Sequence, residues 1–321
     1  MQSFMKTIKT LLTELWRSEP RLTSVGLLMF ALLGVTGLAL VLDPREITGA
    51  PAWLKPAKFA VSIGIYTLTL AWVFTFIPTW VKTRRIVSWI TTVTLILEII
   101  VIDVQAWRGT TSHFNVGTVL DGVLFTIMGL AIVVQTFSAV AVAVALWRQR
   151  FTDRALGWAL RLGMTITIVG ALTGGLMTQP TQAQIADARA GHRMSIAGAH
   201  TVGAPDSGPG LPGTGWSREH GDLRVAHFIG LHALQLIPLL ALAVGRRGWH
   251  ESRRVRLILA AAASYISLFS LLMWQALRGQ SVMRPDVSTL SALAIWGLLT
   301  TVMVVAISYR SESIHTRAVA Y

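Results

Sequence analysis

Apolar residues along this chain recur in long blocks rather than in short alternations. Eight blocks reach the roughly 20 residues that a helix needs to cross the hydrocarbon core of a bilayer. They cover 23–42, 57–80, 86–106, 117–147, 157–178, 225–245, 255–277 and 288–309. The fourth is longer than a bilayer requires and is expected to tilt or project beyond it. Ahead of them, Phe4, Met5, Ile8, Leu11, Leu12, Leu15 and Trp16 recur at helical spacing, with Lys6, Lys9, Glu14 and Arg17 on the other side. That pattern predicts an amphipathic helix on the membrane surface within 1–22. A cleaved signal is disfavoured, because the run from Thr23 has spanning length and lacks a small-residue cleavage site. The predicted fold is all-α: a polytopic membrane protein with eight transmembrane helices and an N-terminal interfacial helix.

Composition agrees. Of 321 residues, 53% are hydrophobic and 13% charged, where soluble chains average about 25% charged. The absence of Cys excludes disulfides, c-type haem attachment, thiolate-held iron–sulfur clusters and Cys-zinc sites. The net charge of +13 does not imply a nucleic-acid partner once the charges are placed. The N-terminus, the second, fourth and sixth loops and the tail hold 18 of the 28 Lys and Arg. Cytoplasmic loops collect such residues. Both termini are therefore expected in the cytoplasm of a bacterial inner membrane, with 310–321 a cytoplasmic tail.

The fifth loop, 179–224, is the only large segment outside the predicted bilayer. It carries Gly203-Ala204-Pro205-Asp206-Ser207-Gly208-Pro209-Gly210-Leu211-Pro212-Gly213, which breaks regular structure. It reads either as a linker or as a periplasmic lid, and its length and His residues favour the lid. Short matches point to an internal duplication. Leu54-Lys55-Pro56-Ala57-Lys58-Phe59 corresponds to Leu223-Arg224-Val225-Ala226-His227-Phe228. Gln105-Ala106-Trp107-Arg108-Gly109 corresponds to Gln275-Ala276-Leu277-Arg278-Gly279 at nearly the same offset. The expected layout is two parallel four-helix repeats, 23–147 and 148–309, the second carrying the lid as an insertion.

Ionisable groups inside a bilayer are costly and usually face a bundle interior or cavity. Here they are Lys58, Glu98, Asp103, Asp121, His227 and His232, with the amides Gln105, Gln135, Gln235 and Gln275. Most fall in the outer halves of their spans, while the inner halves are nearly all apolar, which argues for a polar site opening outward. Glu98 lies about 13 Å below Trp107 at 1.5 Å per residue, near mid-membrane. A buried Glu needs a cation, a metal or a proton. The alternative is a protonated Glu hydrogen-bonded to a neighbouring helix. Glu98, Asp103 and Asp121 are the candidate acid–base groups. His227 and His232 are five apart, about 140° around a helix, so they do not chelate one ion as an i, i+4 pair would. With His113 in the third loop and His200 in the lid, they form the candidate metal-ligating set. Arg108 and Arg278 close equivalent spans, each three residues after a Gln. They read as snorkelling residues or as paired anion clamps, with Lys55, Lys58 and Arg224 beside them. Lys58, Gln105, Arg108, Arg224, Gln235, Gln275 and Arg278 are accordingly the candidate cofactor-binding residues. The sequence contains no nucleophile elbow, phosphate-binding loop or zinc-protease motif.

Three stretches carry a resemblance. They are Trp53-Leu54-Lys55-Pro56-Ala57-Lys58-Phe59, Gln105-Ala106-Trp107-Arg108-Gly109 with Ser112-His113-Phe114-Asn115, and Gly221-Asp222-Leu223-Arg224 with His227 to Gln235. They resemble a group of uncharacterised bacterial eight-span inner-membrane proteins. In architecture, two parallel four-helix halves with outward sites are similar to haem A synthase, a family with paired His in both halves. Here Lys58 stands opposite His227 and Ile63 opposite His232, so the similarity implies at most one His-ligated site, in the second half.

The leading expectation is a membrane-embedded b-type haem or transition-metal protein. His232 is the inner ligand and His227 or His113 a second candidate. The reaction is electron transfer with, or oxidation of, a membrane-soluble substrate such as a quinone. A proton- or ion-coupled transporter and a lipid-modifying enzyme at the outer leaflet are the alternatives. Each requires Glu98 and His232 to face a common water-accessible pocket.

Overall fold

The computed structural model describes residues 2–206 and 208–318. Met1, Ser207 of the lid and the last three residues of the tail lie outside the described residues. So do the side chains of 2–8 and 310–318, including Phe4, Met5 and Ile8 of the amphipathic face. The chain is all-α apart from two short hairpin-like pairs. Helix α1 (Gln2–Ser18) leads into α2 (Pro20–Leu42). The antiparallel pair β1 (Glu46–Ile47) and β2 (Ala50–Pro51) joins α2 to α3 (Leu54–Phe74). Then come α4 (Val81–Trp107), α5 (Val119–Arg148), α6 (Arg154–Leu172), the single turn α7 (Gly174–Met177) and α8 (Gln182–Arg189). A second antiparallel pair, β3 (Thr201–Val202) and β4 (Gly221–Asp222), precedes α9 (Leu223–Leu231) and α10 (Ala233–Gly245). Helices α11 (Glu251–Leu277) and α12 (Val287–Ala318) complete the chain.

Among the described residues, seven helices are long and apolar enough to cross a membrane, and the pair α9–α10, bent by 44°, brings the number to as many as eight. Large apolar side chains stay exposed along these helices, Val35, Leu38, Phe137 and Leu298 among them. An outer face of that kind suits lipid, in which backbone polar groups are satisfied within helices. The chain is therefore a multi-pass membrane protein.

Two compact units divide the chain. One holds 1–145, 177–199 and 212–215; the other holds 146–176, 200–211 and 216–321. Segment 179–224 thus contributes to both. In the first unit, Gly26 and Gly64 let α2 and α3 approach closely. A Cβ on Gly26 would stand 2.7 Å from Leu68, and one on Gly64 would stand 3.1 Å from Phe30. Small residues serve helix pairing in membranes this way, because tight packing rather than water exclusion drives it. Val25, Met29, Ile63, Leu95 and Ile99 fill the core between α2, α3 and α4. In the second unit, a Cβ on Gly170 of α6 would lie 2.5 Å from the Gly230 carbonyl carbon of α9, so the two helices touch backbone to backbone.

Three boundaries differ from the apolar pattern. The block 57–80 is helical only to Phe74, since Pro78 lacks an N–H and disfavours helix in the residue before it. The block 157–178 stops at Leu172, where the Thr173 hydroxyl bonds the Gly170 carbonyl at 2.6 Å and two glycines follow. The block 225–245 is broken at His232. The lid also has structure that its Gly and Pro content hid. Helix α8 begins with a capping box, in which Thr181 accepts from the Gln184 N–H and Gln184 from the Thr181 N–H.

Candidate functional site

In the first unit Glu98 sits on the buried face of α4, 2% exposed. Its Oε1 is 3.6 Å from His113 Nε2, and its Oε2 has no hydrogen-bond partner. The Lys55 ammonium, at the start of α3, lies within electrostatic range of the carboxyl. Phe59, one turn on, packs its ring 5.7 Å from the His113 imidazole. His113 is positioned by its loop. Asn115 donates to Thr110 Oγ1 at 2.9 Å and accepts from the Gly117 N–H at 3.1 Å. Phe114 adopts a left-handed φ of 63°. The loop is strapped by the lid, because Ala197 donates to the Phe114 carbonyl at 2.8 Å and Val116 to the Ser195 carbonyl at 2.9 Å. Lys58 Nζ donates to the Thr214 carbonyl at 2.9 Å, which ties a second stretch of the lid to α3. Asp103 is half-buried, with its Oδ1 lacking a hydrogen-bond partner.

Gln105, Arg108 and Asp121 form a different kind of arrangement. Gln105 Nε2 donates to Asp121 Oδ1 at 2.9 Å, and Arg108 donates to the same oxygen at 2.7 Å. Arg108 also donates to Gln105 Oε1, while Thr118 donates to Asp121 Oδ2 at 2.6 Å. Both carboxylate oxygens of Asp121 are thus engaged in closing the α4–α5 turn. The end of α4 is a Schellman turn: Thr110 N–H bonds the Gln105 carbonyl at 3.0 Å, and Gly109 (φ 73°) bonds Ala106 at 3.0 Å. The α11–α12 turn has the same form. Gln280 N–H bonds the Gln275 carbonyl at 3.2 Å, and Gly279 (φ 72°) bonds Ala276 at 2.9 Å. Gln275 Nε2 reaches the Ser281 carbonyl at 2.9 Å, and Arg278 pairs with Asp286. Arg278 lies outside the span with Asp286, and its hydrogen bond holds the Asp286 carboxyl below the usual carboxylate range. Both predicted anion clamps are thus held in ion pairs within their own turns.

In the second unit the helix break centres on His232. Its Nδ1 lies 2.8 Å from the Phe228 carbonyl, and the Phe228 ring stacks on it at 4.0 Å. The Leu234 N–H freed by the break donates to Thr167 Oγ1 at 3.0 Å. Tyr265 donates to the Ile229 carbonyl at 2.5 Å. With its amide turned to donate, Gln235 reaches the His232 and Leu231 carbonyls, both at 3.2 Å. Pro238 adds to the irregularity of this span, since it offers no N–H to the Leu234 carbonyl. His227 Nδ1 is 2.8 Å from the Gly170 carbonyl and 3.0 Å from Thr173 Oγ1. His200 and His232 are both within electrostatic range of it. His200 Nδ1 is 2.7 Å from Asp206 Oδ2 in the lid. Burial pushes the Asp206 carboxyl up, but His200 and the His200 and Thr201 N–H groups outweigh it and hold the carboxyl low. Arg224 pairs with the buried Asp222 at 2.6 Å.

Glu98 and His113 are therefore brought together in one unit, while in the other His200 and His232 lie within electrostatic range of His227; the common pocket expected for Glu98 and His232 is found within neither unit. A carbonyl accepts only from a protonated Nδ1, so when neutral His227 and His232 present Nε2 as the imine nitrogen, one of the two ring positions that ligate metals. Among the described residues, however, there is no group of three His, Asp or Glu that could hold a metal ion. Compared with known proteins, the chain matches no family model, and no curated protein or solved structure is significantly similar to it.

Proposed function

We propose that the protein is a proton-coupled membrane transporter, with Glu98 as its proton-binding carboxyl and His113 as the outer access to it. The observation that carries this reading is the state of Glu98: 2% exposed, one oxygen facing an imidazole, the other without a hydrogen-bond partner. A carboxylate inside a hydrocarbon slab is too costly to keep ionised without a counter-charge, and binding a proton relieves that cost. The span broken at His232 supports the same reading, since interrupted helices recur where transporters hold their cargo. The paired Gln-x-x-Arg-Gly turns support eight spans in two parallel four-helix halves. The basic even-numbered loops support N- and C-termini in the cytoplasm of an inner membrane.

The test uses purified protein in liposomes with a pH-sensitive dye outside. Amino acids, organic acids and inorganic cations are added in turn. At least one solute drives proton movement, and Glu98→Gln reduces that movement to the level of empty liposomes. The reading fails if no solute moves protons and infrared spectra show the Glu98 carboxyl unchanged between about pH 5 and about pH 9.

A second reading, a b-type haem protein serving electron transfer to a quinone, is favoured by the tautomers of His227 and His232. A bound haem would supply one-electron chemistry, and His232 would hold it, with Gln235 supporting the backbone behind. A Soret band on the purified protein, lost in His232→Ala, supports it. Colourless, metal-free protein that retains transport removes it.

A further inference from the structure

The half of α4 between Glu98 and the end nearest α1 is expected to be dry and apolar, yet it buries hydroxyls. Ser88, Thr91, Thr94, Glu98 and Gln105 are all buried on α4. Their spacings put them on one helix face. From Ser88 to Gln105 the rise is about 26 Å at 1.5 Å per residue, most of the roughly 30 Å hydrocarbon core. Neighbouring elements add to the stripe. Ser88 Oγ donates to Glu19 Oε1 at 2.7 Å, and Glu19 is itself buried. Thr94 Oγ1 donates to the Ile90 carbonyl at 2.8 Å and lies 3.1 Å from Gln135 Oε1, and Gln135 Nε2 donates to the Tyr66 hydroxyl at 3.1 Å. Two atoms facing along this stripe, Thr91 Oγ1 and Glu98 Oε2, are buried without a hydrogen-bond partner. Orphaned polar atoms cost stability, so their retention two turns apart calls for a use.

We propose that this stripe is a proton path through the first unit, from His113 through Glu98 to Glu19. The proposal rests on Glu98 being a proton site and adds the route and exit. A proton on His113 Nε2 passes to Glu98 Oε1, leaving the imidazole neutral. The carboxyl then rotates so that the same proton faces Thr94 and Thr91 and passes on through a bridging water, which returns Glu98 to the carboxylate. Each hydroxyl accepts one proton on its oxygen as its own proton moves on, so the chain ends unchanged. Ser88 delivers the last proton to the Glu19 carboxylate, at the end of the bundle where α1 lies. The charged and titratable groups around the path include Lys55 and Tyr66 on α3, His113 in the α4–α5 loop, and Asp103 and Arg84 on α4 itself, Arg84 donating to the Ser18 carbonyl beside Glu19 at 2.6 Å. Helix α2 contributes Arg21, 3.6 Å from Glu19, and Gln135 of α5 is neutral.

The experiment imposes a potassium diffusion potential with valinomycin on liposomes that contain the full chain and a trapped pH dye, in the presence of the solute that drives proton movement in the transport assay. Wild-type protein carries proton flux above that of empty liposomes. Ser88→Ala and Thr91→Val each lower it by at least about tenfold, Thr91→Ser restores it, and Glu98→Gln abolishes it. Thr126→Val, on the exposed side of α5, leaves it unchanged. Circular-dichroism melts in detergent establish that the variants fold. If Glu98→Gln stops the flux while Ser88→Ala and Thr91→Val do not, the path is overturned and the carboxyl site stands. If wild-type protein carries no flux although Glu98 titrates by infrared, the path is likewise overturned. If Glu98 does not titrate, both readings fall together.

Discussion

Glu98 and Gln105 share one face of α4, but their surroundings give them opposite roles. Gln105 is saturated by Asp121, Arg108 and the Thr111 carbonyl, whereas Glu98 Oε2 bonds nothing. Removing a satisfied buried partner leaves the others stranded, so Gln105→Leu is expected to cost about 1–3 kcal/mol. Glu98→Leu relieves an unmet group and is expected to leave stability unchanged or raised. Thermal melts in detergent, run on both variants, separate these outcomes; equal destabilisation would mean that Glu98 is a structural residue like its neighbour. The position of Glu98 was legible in the sequence because a carboxylate in an apolar block is conspicuous. The use of Arg108 was not, because its partner Asp121 lies across a loop and one arginine at a span end looks like any other. Ser88, Thr91 and Thr94 also escaped notice. Hydroxyls in spans usually bond their own backbone, and only their shared spacing with Glu98 marks these out.

At the scale of elements, the break at His232 was invisible to apolar periodicity, which sees an unbroken run from 225 to 245. The groups that make the break tolerable come from other helices, Thr167 on α6 and Tyr265 on α11. The backbone contact between Gly170 and Gly230 fixes the same region. A Cβ at Gly230 would lie 2.5 Å from the Gly170 Cα, so Gly230→Ala is expected to destabilise by about 1–3 kcal/mol, read as a lowered melting temperature. The lid turn at His200 has its own pH dependence. Asp206 is held low when folded, so its contribution is present above the ordinary carboxylate range and is lost as pH falls towards the folded value. The His200 and Thr201 amides, which donate to Asp206, should stay protected from hydrogen exchange at neutral pH and lose protection only in strong acid. In Asp206→Asn that protection should be weakened at neutral pH as well.

For the molecule as a whole, long apolar blocks gave the membrane architecture, because the bilayer imposes a length that composition alone can satisfy. Charge placement adds an orientation that fused reporters test directly. A reporter at the C-terminus and one at the N-terminus should both prove cytoplasmic, and a reporter within 203–213 should prove external. An external C-terminus would reverse every statement about sidedness. The division of the lid between two compact units could not be read from its Gly and Pro content, which marks turns but not their partners. The two Schellman turns supply an internal control for any mutagenesis of this protein. Asp121 and Asp286 secure matching corners, but only the first corner encloses His113. Asp121 is buried and takes Gln105 as well as its arginine, whereas Asp286 is exposed, so Asp121→Asn injures its corner more than Asp286→Asn does, and a loss of function in Asp121→Asn is owed to a displaced imidazole only where it exceeds what its lowered melting temperature explains.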